Sequence, residues 1–286
     1  MPVGPLNGRL LERQTGKCVQ GGGSLKVAAN GIRTNIALSG DNSGPVVVLS
    51  HALATSLDLW LFQLAVLEPF FRVLRYDTRG HGASDAPEGA YSLAQLADDA
   101  VAVMDALDIE TVHWVGISMG GMIGQAVALN HAERLSSLVL CATAAVVPPE
   151  AHPLWQQRIE KARGEGMAAL VEETLQRWFT PPYLAKRPSS VRRIRDMVLS
   201  TPVTGFIGCS EAIRRLNYLE RLQEIRVATL VIVGEQDPGT PVAYSEAIQN
   251  RIKNSRLEII ASAAHLCNIE QEGAFNQCLL EFLKNR

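Results

Sequence analysis

One stretch constrains this chain more than any other: VHWVGISMGGMIGQAVAL at positions 112–129. Its first six residues are apolar and rich in β-branched side chains, as in a buried strand, and the small apolar residues that follow read as a helix. Between them Gly116, Ser118 and Gly120 form a G-x-S-x-G turn. A strand that passes directly into a helix forces the turn residue into a strained backbone conformation, so its neighbours must lack bulky side chains. Gly116 and Gly120 meet that need, and Gly121, Gly124, Ala126 and Ala128 let the helix lie close to the sheet. Strand, sharp turn and helix together make the pattern a nucleophile elbow rather than a chance glycine-rich junction.

The flanking sequence supplies a sheet for such an elbow. Residues 25–29 and 34–38, joined through Asn30-Gly31, read as a β-hairpin. Residues 45–51, 71–77, 135–141, 229–234 and 256–260 are short apolar runs of the parallel-sheet kind. Helical spacing separates them at 57–67, 242–252 and 272–284, and after Ser92, where Gln95 completes a capping box. This alternation predicts an α/β fold with a mostly parallel, doubly wound sheet. From 145 to 226 it stops. Pro148-Pro149 and Pro181-Pro182 punctuate helical stretches around 154–162, 168–178, 191–199 and 211–222. The expected organisation is a flexible tail at 1–23, a first core segment at 24–144, an all-helical cap at 145–226 and a second core segment at 227–286.

Composition narrows the function classes. Lys plus Arg is 27 against 29 for Asp plus Glu, with no basic stripe, so nucleic acid is not an expected partner. Five scattered cysteines without a C-x-x-C pair argue for free thiols in a reducing compartment, and against a disulfide framework or zinc site. The N-terminus lacks a signal-peptide core, and no apolar run reaches the roughly 18 residues of a membrane helix. A cytoplasmic location is expected. No metal-ligand spacing or dinucleotide fingerprint occurs, so no metal or cofactor is expected.

A serine hydroxyl becomes a nucleophile when a base takes its proton and a carboxylate orients that base. Active groups on a parallel sheet lie beyond the carboxyl ends of the strands. His265 follows the last strand, Asp237 follows the one before it, and Glu235 is the competing acid. With Ser118 they give the chain order Ser, Asp, His of an α/β-hydrolase. The backbone N–H groups of Met119 and Leu53 are the expected oxyanion donors. His51, Asp77, Arg79 and His81 are expected to brace the surrounding loops.

From about Pro45 onward the chain resembles the α/β-hydrolase superfamily, and more narrowly the 3-oxoadipate enol-lactonases. LSHAL at 49–53, FRVLRYDTRGHG at 71–82 and GISMGGMIG at 116–124 carry the wider likeness. RWFT at 177–180 and AHLCNIEQ at 264–271 are more particular to the enol-lactonases. Two departures stand out: Ala54 where that family has glycine, and Arg215 where it has an acid. The resemblance implies a substrate that is a small enol-lactone with a free carboxylate, opened through an acyl-enzyme. Arg158, Arg177, Arg214 and Arg215 are candidate partners for that carboxylate, and Trp155 and Trp178 are candidate pocket walls. Two other readings stay open: a carboxylesterase or lactonase for uncharged acyl substrates, and a ligand-binding receptor on a hydrolase scaffold.

Overall fold

The described residues of this computed structural model, 25–286 without Arg187, form β1 Leu25–Ala29, β2 Ile32–Gly40, β3 Val46–Ser50, β4 Arg72–Tyr76, β5 Val112–Ile117, β6 Leu135–Cys141, β7 Thr229–Gly234 and β8 Ser255–Ile260. The tail expected at 1–23 lies outside these residues. The strands make one sheet in the order β1-β2-β4-β3-β5-β6-β7-β8. The β1–β2 and β2–β4 pairs are antiparallel and the rest are parallel. The hairpin turns at Asn30 (φ 47°) and Gly31 (φ 78°), the left-handed pair that a two-residue turn needs.

Side chains alternate across the sheet into two apolar layers. Val47, Leu49, Val115 and Ile117 enter one, and Val48, Trp114, Leu138 and Val231 enter the other. Burial on both faces explains why these strands read as continuous apolar runs. Because β3 to β8 run parallel, Ser50, Ile117, Gly234 and Ile260 all end at one edge of the sheet. Among the described residues no helix is long and apolar enough to cross a membrane.

Between β6 and β7 the chain forms a helical cap, with its longer helices at His152–Glu165, Val171–Trp178, Ser189–Ser200 and Val203–Arg214. The last differs from the expectation of a helix at 211–222. Its earlier start is masked in the sequence by Gly205 and Gly208, poor helix formers that contact with the core requires there. A Cβ at Gly205 would stand 1.9 Å from the Gly80 carbonyl oxygen, and one at Gly208 2.6 Å from the Tyr91 ring. The Tyr91 N–H donates to the Gly208 carbonyl at 3.1 Å. The helix stops where Leu216 and Tyr218 bond back to Val147 and Ala145, closing the base of the cap.

Candidate active site

Ser118 sits between β5 and the helix Met119–Asn130 with φ 55° and ψ −116°. Its N–H donates to the Cys141 carbonyl at 2.8 Å, and its carbonyl accepts from the Thr143 hydroxyl at 2.7 Å. These bonds hold the left-handed conformation from both sides. The glycines have a specific steric cause. A Cβ on Gly116 would lie 2.1 Å from the Gly120 oxygen, and one on Gly120 would lie 2.1 Å from the Ser50 oxygen. The start of the helix therefore crosses the ends of β5 and β3 backbone to backbone.

Asp237 and His265 meet beyond β7 and β8. The His265 Nδ1 is 2.7 Å from Asp237 Oδ2, and both side chains are buried. A carboxylate at Nδ1 selects the tautomer protonated there and leaves Nε2 as an acceptor. Burial acts to raise the Asp237 carboxyl, but the facing His265 ring and the Thr240 bonds outweigh it and leave the group below its usual range. Asp237 Oδ1 also accepts from the Gly239 and Thr240 N–H groups at 2.8 and 3.0 Å. The competing acid, Glu235, is exposed and accepts from the Ser262 N–H at 3.1 Å.

The loop after β3 lies beside the elbow. The Ala54 N–H donates to His81 Nε2 at 2.9 Å, and the Thr78 N–H to His51 Nε2 at 2.9 Å. Both rings are thus acceptors in their neutral forms. Burial pushes His51 down to about 4, and burial with the adjacent His51 pushes His81 down to about 3. Asp77 accepts from the Leu57 and Ala83 N–H groups, and Arg79 forms a two-point pair with Asp99 at 2.7 Å for both bonds. All four residues brace loops. Leu53 reaches the cavity, and Ala54 takes the left-handed φ of 59°.

That cavity, of about 270 Å³, is shared by core and cap: Leu53, Ser118 and His265 line it below, Trp155, Arg158, Arg177 and Trp178 above. Glu173 joins the two guanidinium groups, 2.5 Å from Arg177 Nη1 and 3.9 Å from Arg158 Nε. Burial and the neighbouring Arg177 push Arg158 down to about 10, still charged at neutral pH. Arg158 also stacks over the Trp155 ring at 5.2 Å. Arg214 lies outside the lining. Its guanidinium is held by Glu211 at 2.7 Å and Gln156 at 3.4 Å. Arg215 is exposed beside the same Glu211.

The family model for the alpha/beta hydrolase fold matches residues 45–272. The chain belongs to that family. It is 35% identical over 258 residues to 3-oxoadipate enol-lactonase 2 of Acinetobacter baylyi, covering 90% of this chain and 96% of that one. The crystal structure of the enol-lactonase from Burkholderia xenovorans superposes with a TM-score of 0.88 at 38% identity, covering 91% of this chain and all of the other. A malate-bound thermophilic esterase from Thermogutta terrifontis superposes at 0.86 and 28% identity, covering 92% and 98%.

Two residues of this alpha/beta-hydrolase site escaped the sequence reading. Thr240 supports Asp237 through its N–H and its hydroxyl, the latter at 2.7 Å. The D-P-G-T run at 237–240 carries a usable signal, since aspartate commonly accepts from amides two and three residues on. Glu173 carries half of one: its spacing of four residues to Arg177 on the same helix is a recognisable ion pair, but its contact with Arg158 depends on two helices meeting in space.

Proposed function

We propose that this alpha/beta hydrolase is a serine hydrolase that opens a small carboxylated enol-lactone of the 3-oxoadipate enol-lactone type. One observation carries the reading beyond general ester hydrolysis: Arg158 and Arg177 line the same cavity as Ser118 and His265. Two guanidinium groups sharing one carboxylate, Glu173, leave a net positive charge facing the site. A ligand carboxylate matches that charge and the forked geometry of arginine. The cavity's small volume suits a compact lactone, with Trp155 and Trp178 as walls.

In this reading the Ser118 Oγ attacks the lactone carbonyl carbon while His265 Nε2 takes the hydroxyl proton. Asp237 stabilises the imidazolium through Nδ1–H. The carbonyl electrons move onto oxygen, where the Leu53 and Met119 N–H groups donate to the oxyanion. Leu53 and Ala54 both line the cavity with Ser118, but Ala54 and Thr55 direct their amides to His81 and Ala52, which leaves the Leu53 N–H as the donor proposed for this loop. Collapse breaks the ring C–O bond and expels an enolate, which takes the proton from His265 and tautomerises to the ketone. Water, deprotonated by His265, then attacks the acyl carbon, releases the carboxylic acid and restores Ser118.

A second reading, a carboxylesterase or lactonase for uncharged acyl substrates, draws on the apolar part of the lining: Leu53, Met122, Val146, Val147, Leu154 and Phe206. The deciding measurement is kcat/KM on 3-oxoadipate enol-lactone and on p-nitrophenyl butyrate, with Ser118→Ala as the blank. A lactone value of about 10⁵ M⁻¹ s⁻¹ or more, within the usual enzyme range, and a much lower ester value support the first reading. The reverse ranking sinks it in favour of the second. Negligible turnover of both, with tight ligand binding, points to a receptor.

A further inference from the structure

Glu270 takes no part in the chemistry above and does not line the cavity, yet its carboxylate is buried where cap meets core. The residue is 8% exposed. Its Oε2 accepts from the Ala264 N–H at 3.0 Å. Its Oε1 accepts from the Thr180 N–H at 3.2 Å and from the Thr180 hydroxyl. Ala264 directly precedes His265, and Thr180 lies two residues beyond Trp178, the last residue of the cap helix Val171–Trp178. The lacing is reciprocal: the Leu266 N–H donates to the Trp178 carbonyl at 3.0 Å. Between these ties the Trp178 ring stacks on the His265 ring, with centroids 6.2 Å apart and planes 22° from parallel.

We infer that Glu270 is a positioning residue for His265: by tying the cap to the loop that carries the imidazole, it fixes the ring between Trp178 and Asp237. The inference rests on the proposed role of His265 as base. The chemistry explains why an acid stands here. Every group facing the carboxylate is a donor, two N–H groups and one hydroxyl, and an ionised carboxylate is acceptor-only. Glutamine at this position would turn its NH₂ group toward the N–H of Ala264 or of Thr180, donor against donor, and weaken that arm of the tie although the Thr180 hydroxyl can accept from it. The cap would then be held to the His265 loop more loosely, chiefly through the Leu266 N–H and the Trp178 carbonyl. A base displaced by a fraction of an ångström loses rate in the chemical step rather than in binding.

The test compares Glu270→Gln with wild type by steady-state kinetics and by the ¹⁵N shifts of the His265 ring, assigned with His265→Gln. The expected result is a kcat lower by roughly 10- to 100-fold, with KM changed less than about threefold. The ring shifts should move from the single Nδ1-protonated tautomer toward a mixture of both. Unchanged ring shifts, or a kcat within about twofold of wild type, overturn the proposal. Should Glu270→Gln fail to fold, Thr180→Val against Thr180→Ser carries the same test. Loss with valine and recovery with serine supports the tie, and equal kcat and shifts in the two overturn it. A wild type that hydrolyses neither lactone nor ester defeats the functional reading, whereas the ring shifts need no substrate and still decide the tie.

Discussion

The floor of the cavity and its roof hold their shape by different means. At the elbow, main-chain groups do the work: Gly116 and Gly120 let three backbones cross, and bonds to Cys141 and Thr143 pin Ser118 in its left-handed conformation. In the cap, side chains do it: Glu173 spans Arg158 and Arg177 across two helices, and Trp155 stacks beneath Arg158. A floor of this kind tolerates few residue types at each position, and so leaves a strong mark in the sequence. A roof built on side-chain pairing can change selectivity by exchanging one arginine, without disturbing the catalytic edge beneath it.

Removing the proposed nucleophile tests the floor most severely. Ser118→Ala should lower kcat by about 10⁴-fold or more on every substrate, since loss of one member of such a unit disables all of it. Its melting temperature should stay within a few degrees of wild type, because alanine fits the same backbone. A residual lactone-to-ester ratio far from the wild-type ratio would assign substrate choice to the floor and break the division drawn here.

Acid should also act on the floor. His51 and His81 are buried as neutral acceptors, with values near 4 and 3 against 6.5 for an ordinary histidine. Below pH 6.5 the unfolded chain therefore binds more protons than the native one. Stability falls as the pH drops from about 6.5 and levels off below about 3, a loss on the order of 8 kcal/mol for the pair. Urea midpoints measured from pH 7 to pH 4 check the slope. His81→Gln should be less stable at pH 7 but show a shallower decline. An equal decline in that variant would mean that other groups carry the acid sensitivity.

The roof is sharpened by exchanging its charge. Arg158→Met should lower kcat/KM on a carboxylated lactone by roughly 100-fold, the scale of one charged hydrogen bond, and change p-nitrophenyl butyrate turnover by less than about threefold. Arg214→Ala, whose guanidinium belongs to Glu211, should leave both within about threefold. A large effect of Arg214 with none of Arg158 would relocate the carboxylate site.

Legibility follows the same division. The elbow, the strand ends and the chain order of Ser118, Asp237 and His265 are local patterns imposed by sterics and topology, so residue types and spacing reveal them. Choosing Arg158 and Arg177 over Arg214 needs three dimensions: all are cap arginines, Glu211 and Arg214 sit three residues apart on one helix much as Glu173 and Arg177 sit four apart on another, and only helix packing decides which pair faces the cavity. The helix Val203–Arg214 was obscured for a similar reason, because Gly205 and Gly208 serve contacts with Gly80 and Tyr91 rather than their own helix. Glu270 lies within a recognisable stretch, AHLCNIEQ at 264–271, but its partner Thr180 lies 90 residues away in sequence.

Ala54 offers the finest test, since it is a floor position where the expected glycine is missing. Its φ of 59° places a buried Cβ-bearing residue in the left-handed region, and its N–H is tied to His81. Such a conformation costs about 1–2 kcal/mol for a residue other than glycine. Glycine would remove that strain but gain freedom in the unfolded chain worth about 0.4–1 kcal/mol. Ala54→Gly should therefore stabilise the protein by about 0.5–1 kcal/mol, seen as a rise of a degree or two in Tm. A fall in Tm would show that the methyl group contributes more by packing against the cavity than the backbone loses by strain. The floor would then depend on side chains at this one position, as the roof does throughout.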